Sequence, residues 1–213
     1  MAFDSSANDY YPQEPADIAL LHQLHNAQLR QSCSTIPWPL DFTYNFQERF
    51  LAFSPEQHPI VLQIGGSNLE NLAKAAELAN AYSFDEINLN CGCPSGKVAG
   101  HGCFGARLML DPKFVADAMS AIAANCGVPV SVKCRIGVDD RDSYDELCDF
   151  VYTVVSNSPT RHFIIHARKA LLSGLSPAEN RKVPPLKYVY TNGSCFNLSM
   201  AHILFGRILP HSL

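Results

Sequence analysis

The residues best suited to chemistry lie in Asn88-Leu89-Asn90-Cys91-Gly92-Cys93-Pro94-Ser95, which leaves a short apolar strand signal and enters a loop containing Gly96, Gly100, Gly102 and Gly105. A cysteine at the C-terminal end of a parallel strand is held by rigid scaffold and ringed by adaptable loop, which is where α/β proteins keep reactive groups. Cys91 and Cys93 are therefore the candidate reactive thiols. Cys91, Cys93, His101 and Cys103 also spell C-x-C-x7-H-x-C. That is enough donors for one tetrahedral zinc, though not at the usual knuckle spacing. Gln63, Asn90, Lys133 with Arg135, and His166 each fall within, or at the C-terminal end of, a different apolar run. A charged lysine in a buried strand costs on the order of several kcal/mol unless it is paired or faces a ligand. Such residues on four consecutive strand ends describe a polar pocket on one rim of a barrel or open sheet. Lys133 could alternatively serve as a Schiff-base lysine, but that chemistry leaves Cys93 and Gln63 idle.

The elements that must position these side chains follow from periodicity. The run from His58 to Ile64 reads as a buried strand, and Ser67 or Asn68 caps a helix to about Asn80 with Leu69, Leu72, Ala76 and Leu78 or Ala79 inward. Glu86 to Leu89 is a second strand. Asp111-Pro112 places an N-cap before a first-turn proline and opens a helix with Phe114, Val115, Ala118, Met119 and Ile122 inward. Val130 to Cys134 is a third strand, Ser143 opens a helix through about Val155, and Phe163 to His166 is a fourth strand. Strands recurring with a helix between each pair signal βαβ units and a parallel sheet. Burial on both faces accounts for their apolar character. Residues 1–47 read as a loosely structured extension with one amphipathic stretch, Pro15 to Arg30.

Composition narrows the class. At 213 residues with 47% hydrophobic and 17% charged side chains, the chain can bury a sizeable core and is not a disordered polymer. No apolar run reaches the roughly 18 residues of a membrane span. The net charge of -4 is uneven, with Arg161, Arg168, Lys169, Arg181, Lys182 and Lys187 set against Glu179 alone between 161 and 187. Such a strip can meet phosphates even in a mildly acidic protein. The eight cysteines accompany no signal-peptide pattern at Met1-Ala2-Phe3-Asp4, which points to reduced thiols in an intracellular compartment. Cys126, Cys134, Cys148 and Cys195 are expected to be small buried hydrophobes.

Six segments taken together resemble the tRNA-dihydrouridine synthases. They are Leu62-Gln63-Ile64-Gly65-Gly66, the Asn88–Ser95 segment, Val132-Lys133-Cys134-Arg135-Ile136-Gly137, Asp139-Asp140-Arg141-Asp142-Ser143-Tyr144, Ile164-Ile165-His166-Ala167-Arg168-Lys169 and Leu175-Ser176-Pro177-Ala178-Glu179-Asn180-Arg181. The fourth and sixth of these, at 139–144 and 175–181, narrow the resemblance and look like the bacterial DusA branch. The resemblance covers about residues 48–190 and implies an α/β fold, a partial (β/α)8 TIM barrel of about four βα units. It implies an FMN-dependent oxidoreductase that reduces uridine C5–C6 in tRNA with NADPH as reductant. Gln63, Lys133 and His166 would contact the flavin. Cys93 would be the acid that protonates C5 after hydride reaches C6. Asn90 would meet the extruded uridine, and Arg168 and Arg181 would lie toward the RNA. The implied partners are tRNA and NADPH, with neither membrane nor DNA, and the implied compartment is cytoplasmic, with plastid or mitochondrion as alternatives.

Three departures from the family pattern qualify this. Residues 1–47 lack the family's first strand with its Ala-Pro-Met segment. Residues 191–213 read as a non-homologous tail in which Asn192-Gly193 and Gly206-Arg207 resemble the phosphate-holding turns only superficially. The helical domain that grips tRNA is missing as well. A whole barrel takes about 250 residues, so four strands, the third to the sixth, are expected from a truncated or mis-spliced form. Such a chain would hold FMN poorly. Alternatives are a catalytically inactive fragment, another flavin barrel of the dihydroorotate dehydrogenase type, and, as a lesser one, the zinc-binding module.

Overall fold

The computed structural model describes residues 51–190, apart from positions 102, 174 and 177, together with the strand at 202–205. The helical stretch expected at 15–30, Cys195 and the two glycine turns near 192 and 206 lie outside the described residues.

Strands β1 (Val61–Ile64), β2 (Glu86–Cys91), β3 (Val130–Arg135), β4 (His162–His166) and β5 (His202–Phe205) form one parallel sheet in the order of the chain. Each strand lies beside its predecessor, so the crossovers all advance in one direction and, being right-handed, set the helices on one face. A doubly wound sheet reverses its strand order; this one does not, and it has the pattern of an arc of a (β/α)8 barrel. The four expected strands are present, β1 starting three residues later than the apolar run. β5 is an addition, paired to β4 with His162 opposite His202 and Ile165 opposite Phe205.

The helices start where side chains satisfy their free amides. In α1 (Leu69–Ala79) Asn68 Oδ1 accepts from the Asn71 amide at 2.9 Å. In α2 (Pro112–Ala124) Asp111 Oδ1 accepts from Phe114 N at 3.0 Å, ahead of proline at the first helical position. α3 (Tyr144–Asn157) has a full capping box between Ser143 and Glu146. Leu72, Ala76, Val115, Met119, Ile122, Leu147, Val151 and Val154 from these helices join Ile64, Leu89, Val132, Phe163 and Ile165 from the strands in one apolar core. One expected core residue is corrected. Leu69 is exposed, because it is the first residue of α1 and the buried stripe begins one turn later at Leu72.

The glycine loop after β2 is more ordered than a bare loop reading predicts. It closes in one wide helical turn, Gly96–His101, and one tight turn, Gly105–Leu110. Gly105 sits at φ +66°, and a Cβ there would lie 2.6 Å from the Cys93 carbonyl oxygen and 2.7 Å from Val98 Cγ1. Only glycine fits both the backbone and the space.

Candidate functional site

Alternation along a strand separates two faces. Leu62, Ile64, Ile87, Leu89, Cys91, Val130, Val132, Cys134, Phe163 and Ile165 are buried on the helix side. The opposite face carries Gln63 from β1, Glu86, Asn88 and Asn90 from β2, Ser131, Lys133 and Arg135 from β3, and His162 and His166 from β4. The register places these as neighbours: Gln63 beside Asn88, Asn90 beside Lys133, and Arg135 beside His166. Gln63, Asn90, Lys133 and His166, singled out in the sequence one strand at a time, thus share a single face. Cys93 stands just beyond Asn90, at the C-terminal end of β2.

Its backbone is held from several directions. Asn90 Oδ1 accepts from both Gly92 N and Cys93 N, each at 3.0 Å. The Cys93 carbonyl accepts from Ala106 N at 2.9 Å. The Gly92 carbonyl accepts from Arg135 Nε at 2.9 Å. Arg135 is 4% exposed, and its Nη1 also donates to the carbonyls of Lys169 and Asn180 at 3.1 and 3.0 Å. One guanidinium therefore ties the loop after β2 to the loop after β4. Burial pulls it down to about 10, the nearby Cys93 sulfur acts against that, and Arg181 and Arg168 add to it. It remains a cation at neutral pH.

His166 lies among like charges. Burial first, then Arg135, Arg168, Lys133 and Arg181, pull its imidazole down from 6.5 to about 4. Its Nε2 is buried and has no hydrogen-bond partner. A neutral ring with an unused nitrogen, an exposed lysine cation and an amide on one face suits a flat polar ring whose pyrimidine edge accepts hydrogen bonds, as a flavin's does. The linkage has a definite sign. Between about 6.5 and about 4 the unfolded chain binds a proton at this position and the folded chain does not, so stability falls as pH drops through that window and levels off below it. Because the ring is only part-buried, solvent screening reduces the expected loss to about 1–2 kcal/mol. Urea unfolding at pH 7, 5.5 and 4.5 should show a shallower loss for His166→Asn than for the parent; parallel curves would refute the assignment.

Arg168 reaches the same region, but its Nη1 donates to the carbonyls of Lys182, at 3.2 Å, and Pro184. Arg181 is exposed nearby. Lys169 and Lys187 share the Asp142 carboxylate at 3.5 and 2.6 Å, so part of the basic strip is neutralised locally. The zinc pattern does not keep Cys91 with Cys93. Cys91 is buried on the helix side beside its register partner Cys134, away from the face that Asn90 occupies, and burial raises its thiol well above the ordinary range. Among the described residues no group of three or more His, Cys, Asp or Glu could hold a metal. Cys134 is a buried small hydrophobe as expected, while Cys126 and Cys148 are only half-buried, a correction: Cys126 lies in the turn between α2 and β3, and Cys148 lies off the buried stripe of α3. Sequence reasoning noted Arg135 only as a polar strand residue, gave Asn88 no role of its own within the reactive segment, and overlooked Glu86 and Ser131. Their signal was present: polar residues two apart in strands that otherwise read as apolar.

Comparison with known proteins gives the chain its relatives. A family model described as Dihydrouridine synthase (Dus) matches residues 40–206, beyond both ends of the 48–190 resemblance. A tRNA-dihydrouridine(20/20a) synthase of Vibrio parahaemolyticus is 57% identical over 139 residues, 65% of this chain and 42% of that protein. The proteins of the same name from Escherichia coli K12 and Salmonella typhi are each 55% identical over 139 residues, with 40% and 42% of their lengths covered. The chain spans about two fifths of the length of the curated relatives it matches. No helix among the described residues is long and apolar enough to cross a membrane.

Proposed function

The chain belongs to the dihydrouridine synthase family, and from that premise we propose that it carries the reacting face of an enzyme that reduces the C5–C6 bond of uridine in tRNA. The observation that supports this most is the convergence of Gln63, Lys133 and His166 on one sheet face, with Cys93 fixed at its rim. FMN, reduced by NADPH, supplies the hydride when bound. Gln63 and His166 offer it polar contacts, and Lys133 offers a cation for the negative charge of its pyrimidine edge. Asn90 and Cys93 lie next to one another where the uracil would sit. Cys93 Sγ–H gives its proton to C5, leaving a thiolate close to the Arg135 cation. Arg181 and the Arg168 region offer positive potential to the RNA backbone. The relatives are named for positions 20 and 20a, so those uridines are the substrates proposed here.

The test is direct. The protein, supplied with FMN and NADPH, is incubated with tRNA lacking dihydrouridine, and the modified positions are mapped by mass spectrometry. Dihydrouridine at 20 or 20a is expected. Turnover of dihydroorotate with no modified tRNA would overturn the reading in favour of the other flavin-barrel class.

A further inference from the structure

On the same face lies an unbroken line of side-chain hydrogen bonds that ends at Cys93. Asn90 Oδ1 accepts from the Gly92 and Cys93 amides, and Asn90 Nδ2 donates to Gln63 Oε1 at 3.2 Å. Gln63 Nε2 donates to Asn88 Oδ1 at 2.8 Å, and Asn88 Nδ2 donates to Ser131 Oγ at 2.7 Å. Ser131 Oγ donates to Glu86 Oε1, and Glu86 Oε2 pairs with His162 Nδ1 at 2.7 Å. The direction of this line is forced from both ends. Backbone amides can only donate, so Asn90 must turn its oxygen to them and its nitrogen to Gln63. A carboxylate can only accept, so Ser131 must donate to Glu86 and Asn88 must turn its nitrogen to Ser131. The two constraints meet without conflict at Gln63, whose amide is left with one orientation. Asn88 and Ser131 are 1% and 0% exposed, so water cannot readily substitute for a missing member.

We propose that Glu86, Ser131 and Asn88 are positioning residues for Cys93, acting through Gln63 and Asn90. Glu86 polarises the line, Ser131 and Asn88 carry it across two strands, and Asn90 delivers it to the peptide that orients the thiol. The inference takes its meaning from the reading of Cys93 as the reacting thiol, yet its geometry can be tested without flavin, tRNA or turnover.

The experiment is hydrogen–deuterium exchange of the full chain, resolved at residues 92 and 93. Ser131→Ala should accelerate exchange there about tenfold, and Ser131→Thr, which restores the hydroxyl, should return it close to the parent. Thr160→Val is the control, because Thr160 is equally buried and its Oγ1 has no partner. It should leave residues 92 and 93 unchanged. Where Ser131→Ala loosens the whole sheet, Asn88→Asp decides, since it removes the donor to Ser131 while preserving shape and the acceptor for Gln63. Selective acceleration at 92–93 in that variant supports the proposal. Exchange within twofold of the parent in both variants, or equal acceleration in Thr160→Val, overturns it. A failed dihydrouridine assay with these exchange results intact would sink the catalytic reading and leave the positioning line standing.

Discussion

Cys93→Ala is expected to lower dihydrouridine formation by about 10²- to 10⁴-fold, the range contributed by a positioned general acid, while NADPH consumption in the absence of tRNA stays unchanged. The size of the effect follows from how much structure is devoted to this one backbone segment. Four of its polar groups are bound: the Gly92 and Cys93 amides to Asn90, the Gly92 carbonyl to Arg135 Nε, and the Cys93 carbonyl to Ala106 N. Gly105, at φ +66°, presses against it where no side chain fits. Such restraint is what a positioned acid needs, and the structural alternative is a half-buried cysteine packed at the edge of the core. The two roles separate cleanly. A packing cysteine replaced by alanine would cost some stability and affect both half-reactions together. A proton donor would leave the NADPH half intact and stall the half that involves uridine. Cys93→Ser sharpens the result, because a hydroxyl keeps the approximate shape and is a far weaker acid. Activity within tenfold of the parent in either variant would remove Cys93 from the chemistry.

Much of the fold was legible because it is written locally. The caps at Asn68, Asp111 and Ser143 each state where a helix begins, and the apolar strands between them state a parallel sheet. What was not legible depends on distant pairing. Glu86 and His162 are 76 positions apart, Asn88 and Ser131 are 43 apart, and nothing in their own neighbourhoods says that the register brings them together. Hence the site residues could be marked one strand at a time, while the line that joins them could not. β5 escaped notice for a different reason. His202-Ile203-Leu204-Phe205 holds only three consecutive apolar residues, too few for periodicity to separate strand from helix. Arg168 shows the limit on the charged side: sequence identifies a cation, but its hydrogen bonds to the carbonyls of Lys182 and Pro184 belong to the fold.

Arg135→Met is expected to destabilise the folded chain by about 3 kcal/mol or more, against a total stability of roughly 5–15 kcal/mol for a typical domain. Two effects oppose one another. Removing the guanidinium relieves a buried cation that has no ion pair among the described residues and lies near Arg168 and Arg181. It also strips the donor from the carbonyls of Gly92, Lys169 and Asn180. Each hydrogen bond to a charged donor contributes about 1.5–3 kcal/mol, and three together outweigh the relief. Lysine should rescue only in part, since a single ammonium cannot span the positions that the planar fork reaches. The variant has a second signature. Arg135 is the largest charge-based cause, after burial, of the depressed His166 imidazole. The His166 titration midpoint, followed by NMR, should therefore rise from about 4 toward the ordinary range in Arg135→Met and stay low in Arg135→Lys. A methionine variant as stable as the parent would mean that the cost of the buried charge dominates, and the role of Arg135 as the tie between the two loops would have to be abandoned.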